Sequence, residues 1–240
     1  MSEILYIVIP AYNESENIQN VINDWYPVIE SHSGDGKSRL VIVNDGSKDN
    51  TYDIICEAAK THPYLQPLTK ENGGHGPAIL FGYKYALENG ADFIFQTDSD
   101  GQTNPDEFEQ FWNERTAFDM LIGWRQKRED GSDRVFVTKT LKVVIKMCFG
   151  VDVTDANTPY RLMRSSTLSK YIGIIPDDFF LSNVVISVIF AKKNLRVKYI
   201  PISFRPRQGG VNSINFKKII GIGSKALKDF KVINKKIDEI

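Results

Sequence analysis

Short apolar runs that end in polar turns recur through the first hundred residues. Residues 4–9, ILYIVI, form a continuous apolar run rich in β-branched side chains, as is typical of a strand buried on both faces of a parallel sheet. Residues 39–47, RLVIVNDGS, repeat the design, with apolar residues from Leu40 to Val43 and a polar turn after them. Because a helical pattern follows each run, the sequence predicts βαβ units and an α/β fold.

Helical periodicity begins soon after the first run. Ile18, Val21 and Ile22 form an apolar stripe, and we expect Asn13 or Ser15 to cap this helix at its start. Further helices are expected over DNTYDIICEAAK and, after a glycine-rich loop, over GPAILFGYKYAL, where proline is well tolerated in the first turn.

The next apolar run, residues 93–96, leads directly into a cluster of polar side chains. Its continuation, TDSDGQ, contains Asp98, Asp100 and Gln102. Two carboxylates two residues apart at the end of a strand point to the same side and can share one hard divalent cation. Because Asp-x-Asp also occurs in solvated loops and helix caps, the triplet predicts a metal site only together with its context.

The turn after the first strand argues against one nucleotide-binding class. A Rossmann dehydrogenase has G-x-G-x-x-G there, whereas residues 10–15, PAYNES, contain no glycine. Asp45, at the end of the second strand, is a candidate for hydrogen bonding a base or ribose, and a plain turn aspartate is the alternative. We expect His75, in the glycine-rich loop, to face solvent or to be satisfied locally, since no other His or Cys lies nearby.

Seven motifs occur in order along the chain: IVIPAYNESENI, VNDGSKDNT, NGGHGPAILFGYKYA, TDSDGQTNPDEF, IGWR, DANTPYRLMR and RPRQGGVNS. Together they resemble the inverting family-2 glycosyltransferases of GT-A fold, and within them the polyprenyl-phosphate (dolichol-phosphate) hexosyltransferase branch. The resemblance spans residues 4 to about 215. It implies a GT-A-type, Rossmann-like central sheet, mixed but mostly parallel, that is flanked by helices.

The resemblance also implies roles for residues at the donor site. It places Mg2+ or Mn2+ on Asp98 and Asp100, with Gln102 completing the metal or phosphate shell. The nucleotide-sugar pocket that it implies is lined by Pro10, Tyr12, Glu14, Asp45 and Gly74.

Three arginines and one further acid are assigned by the same resemblance. Arg125 matches the Gly-x-Arg position that contacts donor phosphate or sugar, and Arg207 matches the R-x-x-G-x-[ST] loop. Arg134 is a looser match to a contact with an acceptor phosphate. Asp155 matches the acid of D-x-x-[ST]-G-[FY]-R, although Pro159 replaces the usual glycine.

The chemistry of glycosyl transfer asks for these residue types independently. Departure of a nucleoside diphosphate leaves negative charge that a divalent ion and guanidinium groups stabilise, so Asp100 and Arg125 are catalytic candidates. A hydroxyl acceptor also needs a base, for which Asp155 is the candidate. A phosphate acceptor needs none, and Asp155 would then orient substrate or pair with Arg161. Otherwise we expect Arg161 and Arg164 to be surface residues or structural ion-pair partners.

Length and charge agree with one α/β domain. The 240 residues are 42% hydrophobic, which is enough for a substantial core. We expect a nucleotide-binding half over residues 1–100, an acceptor half over 101–215 and a basic amphipathic helix over 216–240. Nucleic acid is not an expected partner, because the formal net charge is zero and no zinc-finger, RNP or helix-turn-helix pattern occurs.

The apolar runs also bear on membrane attachment. None reaches the ~20 residues of a spanning helix, and residues 184–191, VVISVIFA, predict a buried helix instead. No secretory signal is evident, which favours a cytoplasmic location. After Phe216, lysines flank an apolar stripe of Ile219, Ile220, Leu227, Phe230 and Ile233. Such a helix either lies on the inner face of an anionic membrane or packs on its own domain.

The sequence therefore predicts a metal-dependent, inverting glycosyltransferase. We expect it to move a hexose from UDP- or GDP-hexose to a polyprenyl phosphate or a saccharide hydroxyl, as in the synthesis of cell-surface glycans. Two alternatives remain open. One is a non-catalytic nucleotide-sugar-binding protein, and the other is a sugar-1-phosphate nucleotidyltransferase, although that class has a glycine-rich basic loop after the first strand.

Overall fold

The computed structural model describes residues 2–125, 132–205 and 228–240, and it describes only the backbone of residues 125 and 132–139. Seven strands form one sheet: β1 (Leu5–Ala11), β2 (Arg39–Asp45), β3 (Leu65–Lys70), β4 (Phe93–Gln96), β5 (Met120–Arg125), β6 (Arg161–Arg164) and β7 (Val197–Ile202). Their order in the sheet is β3-β2-β1-β4-β6-β5-β7. Of these strands, β6 alone runs antiparallel to its neighbours.

Helices cover both faces of this sheet. They are α1 (Ile18–Ser31), α2 (Thr51–Ala59), α3 (His75–Glu88), α4 (Phe108–Glu114), α5 (Ser132–Phe149), α6 (Ser165–Leu168) and α7 (Ser182–Lys192). Residues 228–238 are also helical, and Pro105–Glu107 and Ile172–Ile174 form short 3₁₀ turns. This mixed, mostly parallel sheet flanked by helices confirms the predicted fold class.

The first apolar run supplies both hydrophobic cores. All seven residues of β1 are buried, and successive side chains point to opposite faces. Val8 packs in the core that α3, α5 and α7 share, whereas Ile7 and Ile9 pack with Trp25 of α1 in the other core. Because β1 contributes side chains to both cores, its sequence has to be apolar throughout, and this unbroken apolar run is the feature that predicted the strand.

The two edge strands of the sheet each contain a proline. Pro67 lies in β3 and Pro201 in β7. Proline has no amide hydrogen and cannot donate to a sheet ladder, so natural sheets confine it to edges, where it discourages pairing with another chain.

The start of α1 differs from the prediction. The helix begins at Ile18 with Asn17 as its N-cap residue, and that residue's side chain makes no capping hydrogen bond. The predicted caps, Asn13 and Ser15, lie in the preceding loop, where their amides bind the β2–α2 loop through Ser47 and Asp49. These contacts along the sheet edge outweigh the local capping preference.

Residues 228–238 decide between the two interpretations of the lysine-rich segment. Phe230, Ile233 and Ile237 are almost completely buried, and the Phe230 ring lies 5.1 Å from that of Phe149 on α5. The described part of the apolar stripe therefore packs on the protein's own core, which is the second of the two alternatives. Ile219, Ile220 and Leu227 lie outside the described residues. Within the described ranges, no helix combines the length and apolarity that crossing a membrane requires.

Helix α3 fits closely against its neighbours through two glycines. A Cβ on Gly82 would overlap the Val8 side chain, and one on Gly76 would overlap the backbone carbonyls of Phe179 and Phe180. The second contact fixes the first turn of α3, which faces the carboxyl edge of the sheet. Because carbonyls of the main chain cannot move aside as a flexible side chain can, Gly76 admits no larger residue without a backbone shift.

We therefore expect Gly76→Ala to lower the free energy of unfolding by about 2 kcal/mol, despite the better helix propensity of alanine. Urea denaturation measures the loss. Gly173→Ala is the matched control, because a Cβ there meets nothing within 4 Å. Equal urea midpoints for the two variants would contradict the close approach at Gly76.

Candidate active site

Polar side chains converge at the carboxyl ends of β1, β2 and β4, which are neighbours in the sheet. The chain leaves β1 for β2 on one side, and β4 joins β1 on the other. Such a point, where the strand order changes direction, is the usual ligand crevice of an open α/β sheet.

The loops after β1 and β2 are joined by hydrogen bonds. Asn13 has a left-handed backbone (φ 54°), its amide donates to Ser47 Oγ at 3.0 Å, and its Oδ1 accepts from the Lys48 amide at 2.8 Å. Asparagine tolerates this conformation better than most residues. The two loops therefore form one rim of the crevice.

Asp49 is the second link between these loops. Its carboxylate accepts from the amides of Ser15 and Thr51, both at 3.1 Å, and from the Thr51 hydroxyl at 2.5 Å. Burial opposes ionisation, but the hydrogen bonds from Thr51 and Ser15 outweigh it and lower the pKa of Asp49. Thr51 Oγ1 is also bonded by the Glu14 amide at 2.8 Å.

The residues predicted to line the nucleotide pocket differ in exposure. Pro10 is buried within β1 and Glu14 is buried beside the rim, whereas Tyr12 is 42% exposed. Of these three, Tyr12 presents the largest surface to an incoming ligand.

Asp45 is buried, and its carboxylate holds the glycine-rich loop. Its Oδ1 accepts from the Gly73 amide at 3.0 Å and from Lys70 Nζ at 2.9 Å, and its Oδ2 accepts from the Gly74 amide at 2.7 Å. Asn72 Nδ2 donates to the backbone carbonyl of Asp45 at 2.9 Å. The bonds of Asp45 therefore position Gly74, the N-cap residue of α3, which has a positive φ of 94° that suits glycine.

Asp98 and Asp100 follow β4 on either side of a clamped peptide. Asn17 Nδ2 donates to the Ser99 carbonyl at 2.6 Å, and both residues are buried. Asn17 belongs to the first motif, yet nothing in its local sequence connects it to residues 82 positions away. The sequence signal that could have singled out Asn17 is its position as a polar residue directly before the apolar stripe of α1.

Gln102 connects the same loop to the segment after β7. Its amide donates to Asp100 Oδ1 at 3.1 Å, its carbonyl accepts from the Arg205 amide at 2.7 Å, and its Nε2 donates to the Arg205 carbonyl at 3.4 Å. The Arg205 side chain in turn reaches Asn104 Oδ1 at 2.7 Å. Gln102 thus positions the Asp100 carboxylate through the Gln102 backbone amide. The role of the Gln102 side chain in a metal or phosphate shell stays a prediction.

His75 crosses the site to Asp98, with Nε2 and Oδ1 2.9 Å apart. The His75 side chain is 49% exposed, as the solvent-facing alternative expected, but its partner is not local, because the turn fixed by Asp45 aims the first residue of α3 at the end of β4. Partial loss of hydration favours the neutral ring, but the charge and hydrogen bond of Asp98, together with the charge of Asp100, outweigh it and raise the pKa of His75.

The acidic pair fits one mode of divalent-cation binding. Within the described ranges, no group of three or more His, Cys, Asp and Glu side chains is placed to hold a metal ion. Mg2+ is commonly bound by one or two carboxylates, with substrate phosphates and water completing its shell. Asp98 and Asp100 could supply the two carboxylates of that mode.

Asp155 lies in a turn that Arg161 supports from beneath. Asp155 is buried, and its Oδ1 accepts from the Asn157 amide at a long 3.4 Å. Arg161 is completely buried, and its guanidinium donates to the carbonyls of Ala156 and Thr158 in this turn. The surface location expected for Arg161 was therefore wrong.

The same guanidinium also binds α7. It donates to the Asn183 carbonyl at 3.0 Å and to Ser187 Oγ at 3.3 Å. Burial lowers the pKa of Arg161, and the negative charges of Asp155 and Asp98 oppose that shift. Arg161 is thus a fixed cation that joins the Asp155 turn to the helix behind it.

Arg164 is also structural. Its Nη2 donates to the carbonyls of Arg115 at 3.2 Å and Thr116 at 2.9 Å, and its guanidinium lies 5.2 Å from the centre of the Phe93 ring. In the part of the chain that the structure describes, carbonyls bind this guanidinium, so the expected ion pair was wrong.

Three predicted arginines cannot be placed in the site. Arg125 is the last residue of β5, but its side chain lies outside the described residues. The same holds for the side chain of Arg134 in α5, and Arg207 is wholly outside the described ranges. Their roles stay predictions.

Two curated proteins illustrate what the sequence is similar to. UDP-N-acetylglucosamine--dolichyl-phosphate N-acetylglucosaminyltransferase of Methanococcus voltae is 27% identical over 220 residues, which cover 83% of this chain and 85% of that protein. Polyprenol monophosphomannose synthase of Mycolicibacterium smegmatis is 25% identical over 223 residues, which cover 89% of this chain and 82% of that protein.

A solved structure supports the fold assignment. Glucosyl-3-phosphoglycerate synthase from Mycobacterium tuberculosis, in complex with Mn2+ and uridine-diphosphate-glucose, matches with a TM-score of 0.69 at 13% identity, over 97% of this chain and 79% of that one. At this identity the likeness shows the shared GT-A fold alone.

The family assignment rests on the sequence match across the site. A model of the family described as glycosyl transferase family 2 matches residues 6–187, a range that begins within β1 and contains the Asp98–Asp100 pair and the Asp155 turn. The chain therefore belongs to glycosyl transferase family 2 and is a glycosyltransferase.

Proposed function

We propose that the protein moves a hexose from UDP- or GDP-hexose to a polyprenyl phosphate, with a divalent cation and with inversion at the anomeric carbon. The observation that carries the proposal is the pair Asp98 and Asp100, held at the end of β4 by contacts from Asn17, Gln102 and His75. The relatives support the acceptor class, because their names specify a dolichyl phosphate and a polyprenol monophosphomannose.

The donor half supplies charge compensation for a diphosphate. Mg2+ or Mn2+ bound at Asp98 and Asp100 would stabilise the negative charge of the departing nucleoside diphosphate. His75 Nε2 contacts one oxygen of Asp98. A cation held by Asp98 would compete with this contact, and His75, at the positive end of α3, could then donate to a phosphate oxygen.

The acceptor half needs no general base if the acceptor is a phosphate. A phosphate oxygen is already anionic, so Asp155 has an orienting role in this proposal, and Arg161 holds the turn that carries it. We assign Arg125 and Arg207 to the donor phosphates and Arg134 to the acceptor phosphate. Residues 1–100 then form the nucleotide-binding half and residues 101–215 the acceptor half.

A product assay tests the proposal directly. The full chain is incubated with Mn2+, a panel of UDP- and GDP-sugars and a short-chain polyprenyl phosphate, and both nucleoside diphosphate and glycosylated lipid are measured. We expect the two products in equal amounts from one donor of the panel. A thermal shift without product would indicate a non-catalytic binding protein. In a separate incubation with a nucleoside triphosphate and a sugar 1-phosphate, formation of nucleotide sugar and pyrophosphate would indicate a nucleotidyltransferase.

The first site prediction concerns the metal pair. Asp100→Asn removes a charged oxygen ligand, so we expect transfer to fall at least about 100-fold and the Mn2+-dependent part of the nucleotide thermal shift to disappear. The control is Asp177→Asn, since Asp177 is exposed and its ion-pair partner is Lys84 of α3, outside the candidate site. Unchanged Mn2+ dependence in Asp100→Asn would remove the metal from this position.

A second prediction concerns the clamp on Ser99. Asn17→Ala deletes the hydrogen bond that fixes the peptide between the two carboxylates, at a cost of about 1 kcal/mol in stability. We expect the Mn2+ concentration for half-maximal activity to rise several-fold, while the exposed Asn20→Ala on the same helix leaves it unchanged. A loss of stability with normal Mn2+ dependence would make Asn17 purely structural.

A third prediction separates the acceptor classes. With polyprenyl phosphate as acceptor, Asp155→Asn should lower kcat by less than about tenfold, because no general base is lost. With a hydroxyl acceptor the loss should reach ~10²- to 10⁴-fold. Measuring kcat and the acceptor KM on both acceptor types decides between them, and the larger loss on polyprenyl phosphate would contradict the proposed chemistry.

A further inference from the structure

Two helices on one side of the sheet expose apolar side chains next to lysines. On α5, Val143 is 56% and Met147 is 71% exposed, and Val232 in the helical residues 228–238 is 57% exposed. These are three of the six large apolar side chains exposed in the described part of the chain. We name the following set the basic-apolar face: Val143, Met147, Val232, Lys142, Lys146, Lys231 and Lys235.

The two helices are neighbours, so their outer sides form one surface. Ile145 and Phe149 of α5 and Phe230 of the other helix are buried in the same core, with the Phe149 and Phe230 rings 5.1 Å apart. Burial raises the pKa of Cys148 on α5, and the nearby positive charge of Lys231 opposes the rise. Lys231 therefore lies close to α5 across the seam between the helices.

Positive charge is concentrated on this surface in a chain whose formal net charge is zero. Residues 140–149 contain two lysines and no acid, and residues 228–238 contain four lysines and two acids. The ion pairs Lys146–Asp152 and Lys235–Glu239 lie in solvent, where such pairs contribute little, so both lysines can exchange partners.

We propose that the basic-apolar face docks the enzyme on an anionic lipid bilayer. Val143, Met147 and Val232 would enter the head-group region, while the lysines bind anionic head groups and keep their stems along the apolar surface. The positive charge of the lysines is complementary to the negative charge of the lipid head groups. Because the apolar area between them is small, the attachment would be reversible. The inference rests on the proposed polyprenyl-phosphate acceptor, which resides in a bilayer.

Vesicle binding of the full chain tests the charged part of this face. Partition coefficients are measured by co-sedimentation with vesicles of phosphatidylcholine alone and of phosphatidylcholine mixed equally with phosphatidylglycerol. We expect Lys142→Glu/Lys146→Glu to bind the anionic vesicles about 30-fold more weakly. The matched control, Lys37→Glu/Lys170→Glu, changes the net charge equally at exposed positions elsewhere and should bind within about twofold of the unaltered chain.

A second pair of variants tests the apolar part. Val143→Ser/Met147→Ser should reduce partitioning about tenfold, whereas Phe81→Ser, on α3, should not. Circular dichroism and melting curves confirm folding, which is expected since all substituted side chains are exposed. Equal binding by the face variants and their controls, or no preference of the unaltered chain for anionic vesicles, would overturn the proposal.

Activity assays separate failure of this inference from failure of the proposed function. The face variants should retain turnover on a short-chain, water-soluble polyprenyl phosphate and lose it, with their vesicle binding, on a long-chain acceptor embedded in vesicles. If the unaltered chain glycosylates neither acceptor but still binds anionic vesicles through this face, the proposed function fails and the docking surface stands. Equal activity of face variants and controls on the embedded acceptor would overturn the docking role.

Discussion

The carboxylate of Asp45 is the interaction on which the geometry of the site depends. Buried at the end of β2, it is stabilised by two amides of the glycine-rich loop and by Lys70. A buried carboxylate without such donors would be very costly, so the loop is bound to one conformation. That conformation starts α3 at His75, and α3 cannot shift because Gly76 rests on the carbonyls of Phe179 and Phe180. The contact between His75 and Asp98 follows from these two constraints.

The loop that carries Asp98 and Asp100 is held by several other parts of the chain as well as by bonds within the loop. Asn17 from the start of α1, His75 from α3 and Gln102 with the segment after β7 each fix one point of it. Thr97 and Thr103 close the loop at its base through hydroxyls 2.6 Å apart. Preorganised ligands lose little freedom when a cation binds, so under the proposed function these contacts would favour cation binding by two carboxylates and a diphosphate.

The features that could be predicted from the sequence are those with local causes. A strand buried on both faces needs an unbroken apolar run, so β1, β2 and β4 could be predicted, as could the position of Asp98 and Asp100 directly after a strand. Hydrogen bonds between residues far apart in sequence could not be predicted. Nothing near Asn17 specifies Ser99, and a charged residue such as Arg161 is expected on the surface unless the carbonyls that surround it are known. The motif resemblance identified the family, whereas the contacts among the candidate site residues required the fold.

The amphipathic segment near the end of the sequence shows why a hydrophobic stripe alone does not identify a lipid-facing surface. Its strongest apolar side chains, Phe230 and Ile233, fill the core beneath α5, because burial against a packed interior removes more apolar area from water than a position among head groups. Because these residues are buried in the core, the side chains that this segment exposes to solvent are fewer in apolar residues and richer in lysine. Helix α5 contributes to that outer set, and the turn that contains Asp155 follows soon after its end. A bilayer on this surface would therefore lie against a helix of the proposed acceptor half that leads to the Asp155 turn, which is where a lipid phosphate has to arrive.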